Sequence, residues 1–320
     1  MECPQCKTSV SAKARYCEQC GVNLEKNAEF LHEKALELYH RGRIDEAVGL
    51  WDKAVNLESG FAKGHYYKGL ALYDRGDLHE AVAAFQRALT GSEKSFRVYF
   101  KLGMAQYGLG DLEASIQSYL EALGLNPGSA ETHYRLGLSY LRNSDLEKAE
   151  KALAEAIKIN PKYTRALYIL GIVYSQKGDS EQAIKQFEAV VQTSPSYTAA
   201  RFDLGMALYK AGQFEESAEQ FEKTVEANDR FAPAHYMLGE IFRKTGHFDS
   251  AISAYNHAVR LNSKDVDAYV RLAECNLQLD LIDAAKAAIE KALECSPQHR
   301  EAKYLQKHIG EMTTPHKPGF

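Results

Sequence analysis

An all-α solenoid of repeated helix pairs is the fold class this sequence predicts, and three observations predict it. The first is a period of 34 residues that runs from Ala28 to His299 as eight copies without insertion or deletion. The second is a small residue at position 8 of every copy: Ala35, Gly69, Gly103, Gly137, Gly171, Gly205, Gly239 and Ala273. The third is a bulky residue at position 24: Trp51, Phe85, Tyr119, Leu153, Phe187, Phe221, Tyr255 and Ile289. Positions 4, 7, 8 and 11 share one face of a first helix. Position 20, small from Ala47 through Ser115 to Ala285, belongs to a second helix. Small residues on both helices let the backbones approach closely, which offsets the cost of about 1 kcal/mol for glycine inside a helix.

The elements follow in order. Residues 1–24 carry Cys3-Pro-Gln-Cys6 and Cys17-Glu-Gln-Cys20-Gly21, two thiol pairs separated by ten residues. Zinc favours four thiolates in a tetrahedron, and each Cys-x-x-Cys turn delivers two sulfurs to one ion. The spacing therefore predicts a structural Zn²⁺ site at Cys3, Cys6, Cys17 and Cys20, with a redox-labile dithiol or a rubredoxin-like iron site as alternatives. Gly21 suits the turn after the second pair, whereas Lys7 stands at that place in the first. Lys7, Lys13 and Arg15 would offset part of a tetrathiolate's charge. Asn23 is expected to cap a helix that runs from Leu24 straight into the first repeat, giving a rigid joint.

The eight copies occupy 28–61, 62–95, 96–129, 130–163, 164–197, 198–231, 232–265 and 266–299. Glycine at position 15 (Gly42, Gly76, Gly110, Gly178, Gly212 and Gly246) is placed to end the first helix. Asp77, Asp111, Asp145 and Asp179 follow as expected N-caps of the second, and Pro127, Pro161, Pro195 and Pro297 close their repeats. Residues 300–311, with Ala302, Leu305 and Ile309 on one face, read as a capping helix. Residues 312–320 read as a disordered tail. Cys275 and Cys295 are both expected to be buried.

At these residues the chain resembles the tetratricopeptide repeat (TPR) family over residues 28–299. The first 24 residues resemble the very short zinc ribbons at the N-termini of many bacterial proteins, through Cys3-Pro4-x-Cys6, Cys17, Cys20-Gly21 and Leu24. The resemblance implies a right-handed superhelix of eight helix pairs whose first helices line a concave groove. The family's usual tryptophan at position 4 is missing; Leu31, His65, Tyr99, His133, Leu167, Arg201, His235 and Tyr269 stand there.

In that family positions 2, 5, 9 and 12 line the groove. Position 5 is aromatic in six successive copies: Tyr66, Phe100, Tyr134, Tyr168, Phe202 and Tyr236. Aliphatic residues such as Leu138 stand beside them at position 9, and Tyr39, Tyr73, Tyr107 and Tyr209 add a second row. Such a strip suits either peptide binding or packing against the adjoining repeat. Arg97, Lys101, Arg135, Arg142, Arg165 and Lys210 outnumber Glu131 and Asp203, while Glu29 and Glu33 make the first copy acidic. The expected partner is an extended protein or peptide segment with apolar and acidic residues, lying across repeats 2–6. Asparagine stands at neither position 6 nor position 9, so the family's chaperone-tail carboxylate clamp and its asparagine ladder are excluded.

A net charge of −4 disfavours general polyanion binding, so nucleic acid stands as an alternative partner behind protein. An envelope-assembly regulatory adaptor is a second alternative. No run of about 18 apolar residues is present, and MECPQCKTSV has no apolar leader core, which predicts no membrane insertion. Six cysteines, four of them in metal-type pairs, fit a reducing, cytoplasmic setting. The sequence shows no nucleophile–base arrangement and no phosphate-binding loop, so it is expected to be a non-enzymatic scaffold without a small-molecule substrate.

Overall fold

Helix pairs fill nearly the whole of the computed structural model, which describes residues 1–11, 14–90 and 95–313, the Thr313 side chain excepted. Two compact units are formed, Met1–Ala166 and Leu167–Phe320. In the first, the pairs are α1 (Ala28–His40) with α2 (Ile44–Leu57) and α3 (Ala62–Arg75) with α4 (Leu78–Ala88). They continue as α5 (Phe96–Leu109) with α6 (Leu112–Leu125) and α7 (Ala130–Arg142) with α8 (Leu146–Ile159). The division falls within α9 (Thr164–Lys177), and the second unit continues with α10 (Ser180–Thr193), α11 (Thr198–Ala211) and α12 (Phe214–Ala227). Then come α13 (Ala232–Lys244), α14 (Phe248–Leu261), α15 (Val266–Gln278), α16 (Ile282–Cys295) and α17 (Arg300–Thr313). In the first unit, and again from α10 onward, each helix packs on its successor, the pattern of a solenoid.

The core is built from the position-24 residues. Trp51, Phe85, Tyr119, Leu153, Phe187, Phe221, Tyr255 and Ile289 are all buried against the small residues opposite. Where position 20 is serine, the hydroxyl crosses the close contact: Ser115 donates to the Gly103 carbonyl at 3.0 Å and Ser217 to that of Gly205 at 2.7 Å. The turns use left-handed backbone throughout. Where glycine is absent, Ser144 (φ 61°) and Asp280 (φ 57°) adopt the same conformation, so position 15 imposes it irrespective of residue. Asp111, Asp145 and Asp179 cap their helices as expected. Asp77 does not; its carboxylate is taken by Arg75 instead.

Position 4 shows a role that the sequence does not reveal. His65, His133 and His235 each reach the carbonyl six residues back, in the turn between repeats, at 3.0–3.1 Å. Arg201 does the same to Pro195 at 2.7 Å. A polar staple to the turn thus replaces the missing tryptophan in four copies.

His32 is fully buried, and its Nδ1 accepts the indole N–H of Trp51 at 2.9 Å. The proton of the neutral ring must then sit on Nε2, which has no partner. Burial, and next the nearby Lys63 charge, hold the His32 pKa down to about 4 against a weaker pull from Glu29. The unfolded chain therefore binds a proton that the folded chain refuses. Stability is full above the ordinary histidine pKa and is lost as pH falls towards 4. Between about pH 7 and about pH 5 the loss is expected to be about 2 kcal/mol. Urea unfolding followed by the fluorescence of Trp51, the one tryptophan, measures it. An unchanged pH slope in His32→Phe would count against this origin.

At the C-terminus α17 buries Ala302, Leu305 and Ile309, and Glu301 holds it to Arg271 of α15 at 2.8 Å. The capping helix extends two residues beyond the expected boundary at 311, so Met312 is helical rather than part of a tail. The rest of the expected tail, 314–320, lies outside the described residues, as does Lys13. Cys275 is buried as expected, but Cys295 is exposed, its Sγ 3.4 Å from the Ser263 carbonyl at the end of α16. Among the described residues no helix is long and apolar enough to cross a membrane.

Candidate functional site

The first candidate site is the four-thiol cluster. Two hairpin turns with the same hydrogen bonds, offset by fourteen residues, build it. Cys3 N–H bonds Thr8 C=O at 2.9 Å and Cys17 N–H bonds Val22 C=O at 3.0 Å. Lys7 N–H returns to Cys3 C=O at 2.9 Å and Gly21 N–H to Cys17 C=O at 2.8 Å. Isolated bridges Glu2–Ser9 and Tyr16–Asn23 close the two hairpins. Lys7 has φ 62° and Gly21 φ 74°, so the lysine adopts the left-handed conformation expected of glycine and the two turns are equivalent.

The four sulfurs all lie within 4.8 Å of one another, with Cys3–Cys20 at 3.6 Å and Cys6–Cys17 at 3.5 Å. Sulfurs about 2.3 Å from a tetrahedral zinc would be about 3.8 Å apart, so the donor set fits such an ion. Gln5 and Cys6 direct backbone N–H groups at Cys3, Thr8 at Cys6 and Val22 at Cys20. The Thr8 hydroxyl, and then its N–H, hold the Cys6 thiol down to about 6. Although the Val22 N–H favours its thiolate, Cys20 is pushed up to about 12 by burial and the other sulfurs. Four adjacent thiolates repel, and a bound cation is what allows all four to ionise together. The cluster could therefore hold a metal.

The ribbon is packed onto the first repeat through Leu24 and Phe30, both buried with Cys3 and Cys17. The joint differs from the uninterrupted helix that the sequence suggested. Asn23 caps only a 3₁₀ turn, Leu24–Lys26, and Asn27 is extended. Asn27 then caps α1 by accepting Phe30 N–H at 2.9 Å. Two consecutive asparagine caps divide what periodicity alone joins.

The second candidate site is the face of the first helices. In the first unit Tyr66 lies against Phe85 (6.0 Å between ring centres) and Phe100 against Tyr119 (6.0 Å). Tyr134 lies against Tyr163 (5.1 Å). Tyr66 and Phe100 are half-buried and Tyr134 is 8% exposed, so the position-5 row serves packing to a large degree. Leu138 is half-buried beside it. Of the basic residues, Arg135 and Arg165 are both occupied by Glu131, at 2.7 and 3.3 Å. Burial opposes charging of Glu131, but Tyr163 and the two arginines together hold its pKa below the ordinary value. Lys101 and Arg142 differ. Lys101 lies 6.0 Å above the Tyr73 ring and Arg142 5.2 Å above Tyr107, and neither has a carboxylate partner among the described residues.

In the second unit Tyr168 donates to Asp203 at 2.7 Å, Phe202 packs between Phe221 and Phe231, and Tyr236 lies on Tyr255. Glu240 and Glu274 are paired with Arg243 and Arg271. Those two ion pairs lie within α13 and α15, which are joined in turn by Arg271–Glu240 at 3.9 Å and Arg243–Glu274 at 4.0 Å. These contacts and Tyr168–Asp203 cross between helices, so no single row of the sequence displays them.

The tetratricopeptide repeat family matches residues 32–96, 72–130, 100–164, 134–198, 168–234 and 202–246, and a second description of the same repeat matches 242–309. The chain belongs to the tetratricopeptide repeat family, whose members act as protein-interaction scaffolds. Solved structures agree in fold. A TPR protein from Parabacteroides merdae is 19% identical over 78% of this chain and 98% of that one, with a TM-score of 0.55. YrrB, described as a TPR protein with an unusual peptide-binding site, is 22% identical over 55% and 91%, with a TM-score of 0.52. The MamA protein is 27% identical over 54% and 94%, with a TM-score of 0.51. No curated protein matches the sequence.

Proposed function

We propose that the chain is a non-enzymatic, cytoplasmic adaptor. It binds an extended, acidic and apolar segment of a protein partner on the first-helix face of the first unit, with a zinc-loaded ribbon closing the end of the array. The observation that carries the reading is the pair Lys101 and Arg142. Both are cations without carboxylate partners among the described residues, held over Tyr73 and Tyr107, which stand at position 12 of successive repeats. Aromatic faces hold the cations by charge–quadrupole attraction; Arg142 also donates from Nη1 to the Tyr107 carbonyl at 3.1 Å, and its remaining N–H groups, with those of Lys101, are left for a carboxylate. Arg135 and Tyr134 act behind this surface as packing and positioning residues, through Glu131 and Tyr163. With four protein sulfurs a zinc at Cys3, Cys6, Cys17 and Cys20 would stabilise the ribbon and leave no open position for catalysis.

Binding of a fluorescent Glu/Leu peptide, followed by anisotropy at several salt concentrations, tests the groove. Charge reversal of Lys101 and Arg142 to glutamate is expected to weaken it at least about tenfold and flatten the salt dependence. Glu131→Gln frees Arg135 and Arg165 and is expected to tighten it. Equal binding by wild type and the reversed variant would remove the proposal. A Gln/Leu peptide that binds as well as the acidic one would do the same.

A further inference from the structure

The second unit contains a cleft of about 390 Å³ between α9, α10 and α11. Ile172, Phe187, Phe202 and Met206 give it apolar walls, with Asp203 among them and Lys210 also lining it. Its volume is of the size that accepts small ligand groups. Asp203 stands at position 6 of its repeat, where Lys101 and Arg135 stand in the third and fourth copies, so the charge is inverted there.

The state of that carboxylate is unusual for this chain. Glu131, Glu240 and Glu274 all have arginine partners. Asp203 is half-buried and makes no ion pair among the described residues. Lys210, two helical turns along α11, does not reach it. One hydrogen bond, from the Tyr168 hydroxyl at 2.7 Å to Oδ2, is its support. The Tyr168 ring is held by Tyr197 (4.9 Å) and Phe187 (5.9 Å), so the hydroxyl is fixed as donor. Burial raises the Asp203 pKa, with the Tyr168 bond as the opposing influence. A partly dehydrated carboxylate without a cation is destabilised, and an ammonium or guanidinium placed against it relieves that cost. Apolar walls beside it suit the methylene stem of the same side chain.

We infer that this cleft receives a lysine or arginine side chain of a bound protein segment, with Asp203 as the counter-charge and Ile172, Phe202 and Met206 around the stem. The inference rests on the reading of the chain as a segment-binding scaffold, but on different residues from Lys101 and Arg142. The partner segment is then not uniformly acidic: the portion seated on the second unit carries a cation.

Methyl NMR tests it, because Met206 lines the cleft and Met104 lies on the first unit's face. The probe is a short Leu-Lys-Leu peptide, and its comparison is the same peptide with N-acetyl-lysine, which keeps the stem and removes the charge. The lysine peptide is expected to shift Met206, with acetylation weakening the titration by roughly tenfold, the size of one partly buried ion pair. Asp203→Asn keeps an acceptor for Tyr168, so a merely structural role survives it, yet it is expected to abolish the difference between the two peptides. Equal titrations of Met206 by both peptides in the wild type would overturn the inference, as would no shift at all. Retention of the lysine preference in Asp203→Asn would overturn it too. The acidic peptide's effect on Met104 reports separately on the scaffold reading, so either can fail alone.

Discussion

With zinc in the four-cysteine site as proposed, its removal is expected to unfold residues 1–26 while leaving the helices from Ala28 onward folded. A segment of this size buries too little apolar surface to fold alone, and its buried residues among those described are Cys3, Cys17 and Leu24, with Phe30 of α1. Structural zinc contributes apparent folding free energies of about 10–16 kcal/mol in small zinc peptides, so nothing else in the segment compensates for its loss. Cys20→Ser should act like a chelator, because the two hairpins are equivalent and each supplies two sulfurs. Far-ultraviolet circular dichroism should barely change, since the described part of residues 1–26 contributes one short 3₁₀ turn. Trypsin is the sensitive probe. With metal bound, Lys26 is held between two asparagine caps and should be cut slowly; without it, cleavage at Arg15 and Lys26 should become rapid. A protein that carries far less than one zinc after gentle purification, or that resists trypsin equally in chelator, would sink this account of the ribbon. Loss of the ribbon should also uncover Phe30, which is 3% exposed in the folded protein.

How much of this was legible in the sequence depends on whether a feature repeats. The small residue at position 8, the knob at position 24 and the glycine at position 15 recur in register, and the helix pairs follow them. The cysteine spacing placed four sulfurs together because each pair lies within one turn. Features built from one residue of one repeat and a different position of the next were not legible. Tyr168 at position 5 bonding Asp203 at position 6 of the next repeat is of this kind, whereas Glu131 takes Arg135 four residues on in its own helix and Arg165 at the same position of the next repeat. Counting basic residues along the groove therefore overstated its free charge. The half-burial of the position-5 aromatics was also hidden, since the ring that covers each of them lies nineteen residues on for Tyr66 and Phe85 but twenty-nine on for Tyr134 and Tyr163. Asn27 escaped for a different reason. Helical periodicity passes through it unbroken, and only the geometry of its cap reveals the stop.

The repeat's close contact predicts the second large effect, and Gly239 is where it is best defined. A Cβ there would lie 2.6, 2.7 and 2.8 Å from Cε1, Cδ1 and Cζ of Tyr255. That ring has little room to yield. It is fully buried, and its hydroxyl donates to Glu240, which is itself held by Arg243 at 3.0 Å. Gly239→Val should therefore destabilise the second unit by about 3 kcal/mol, the upper range for overpacking, even though valine is the better helix former by a few tenths. Tyr255→Ala alone should cost about 3–5 kcal/mol through the cavity it leaves. Together the two changes should cost clearly less than their sum, because the valine fills space that the ring has vacated, and a coupling of about 1 kcal/mol or more is expected. Since a repeat contacts mainly its neighbours, hydrogen exchange should quicken first in α13 and α14 and less in α10. Strict additivity, or a Gly239→Val protein as stable as the wild type, would mean that the helices can separate at little cost. The small residue at position 8 would then have some other physical reason than close approach.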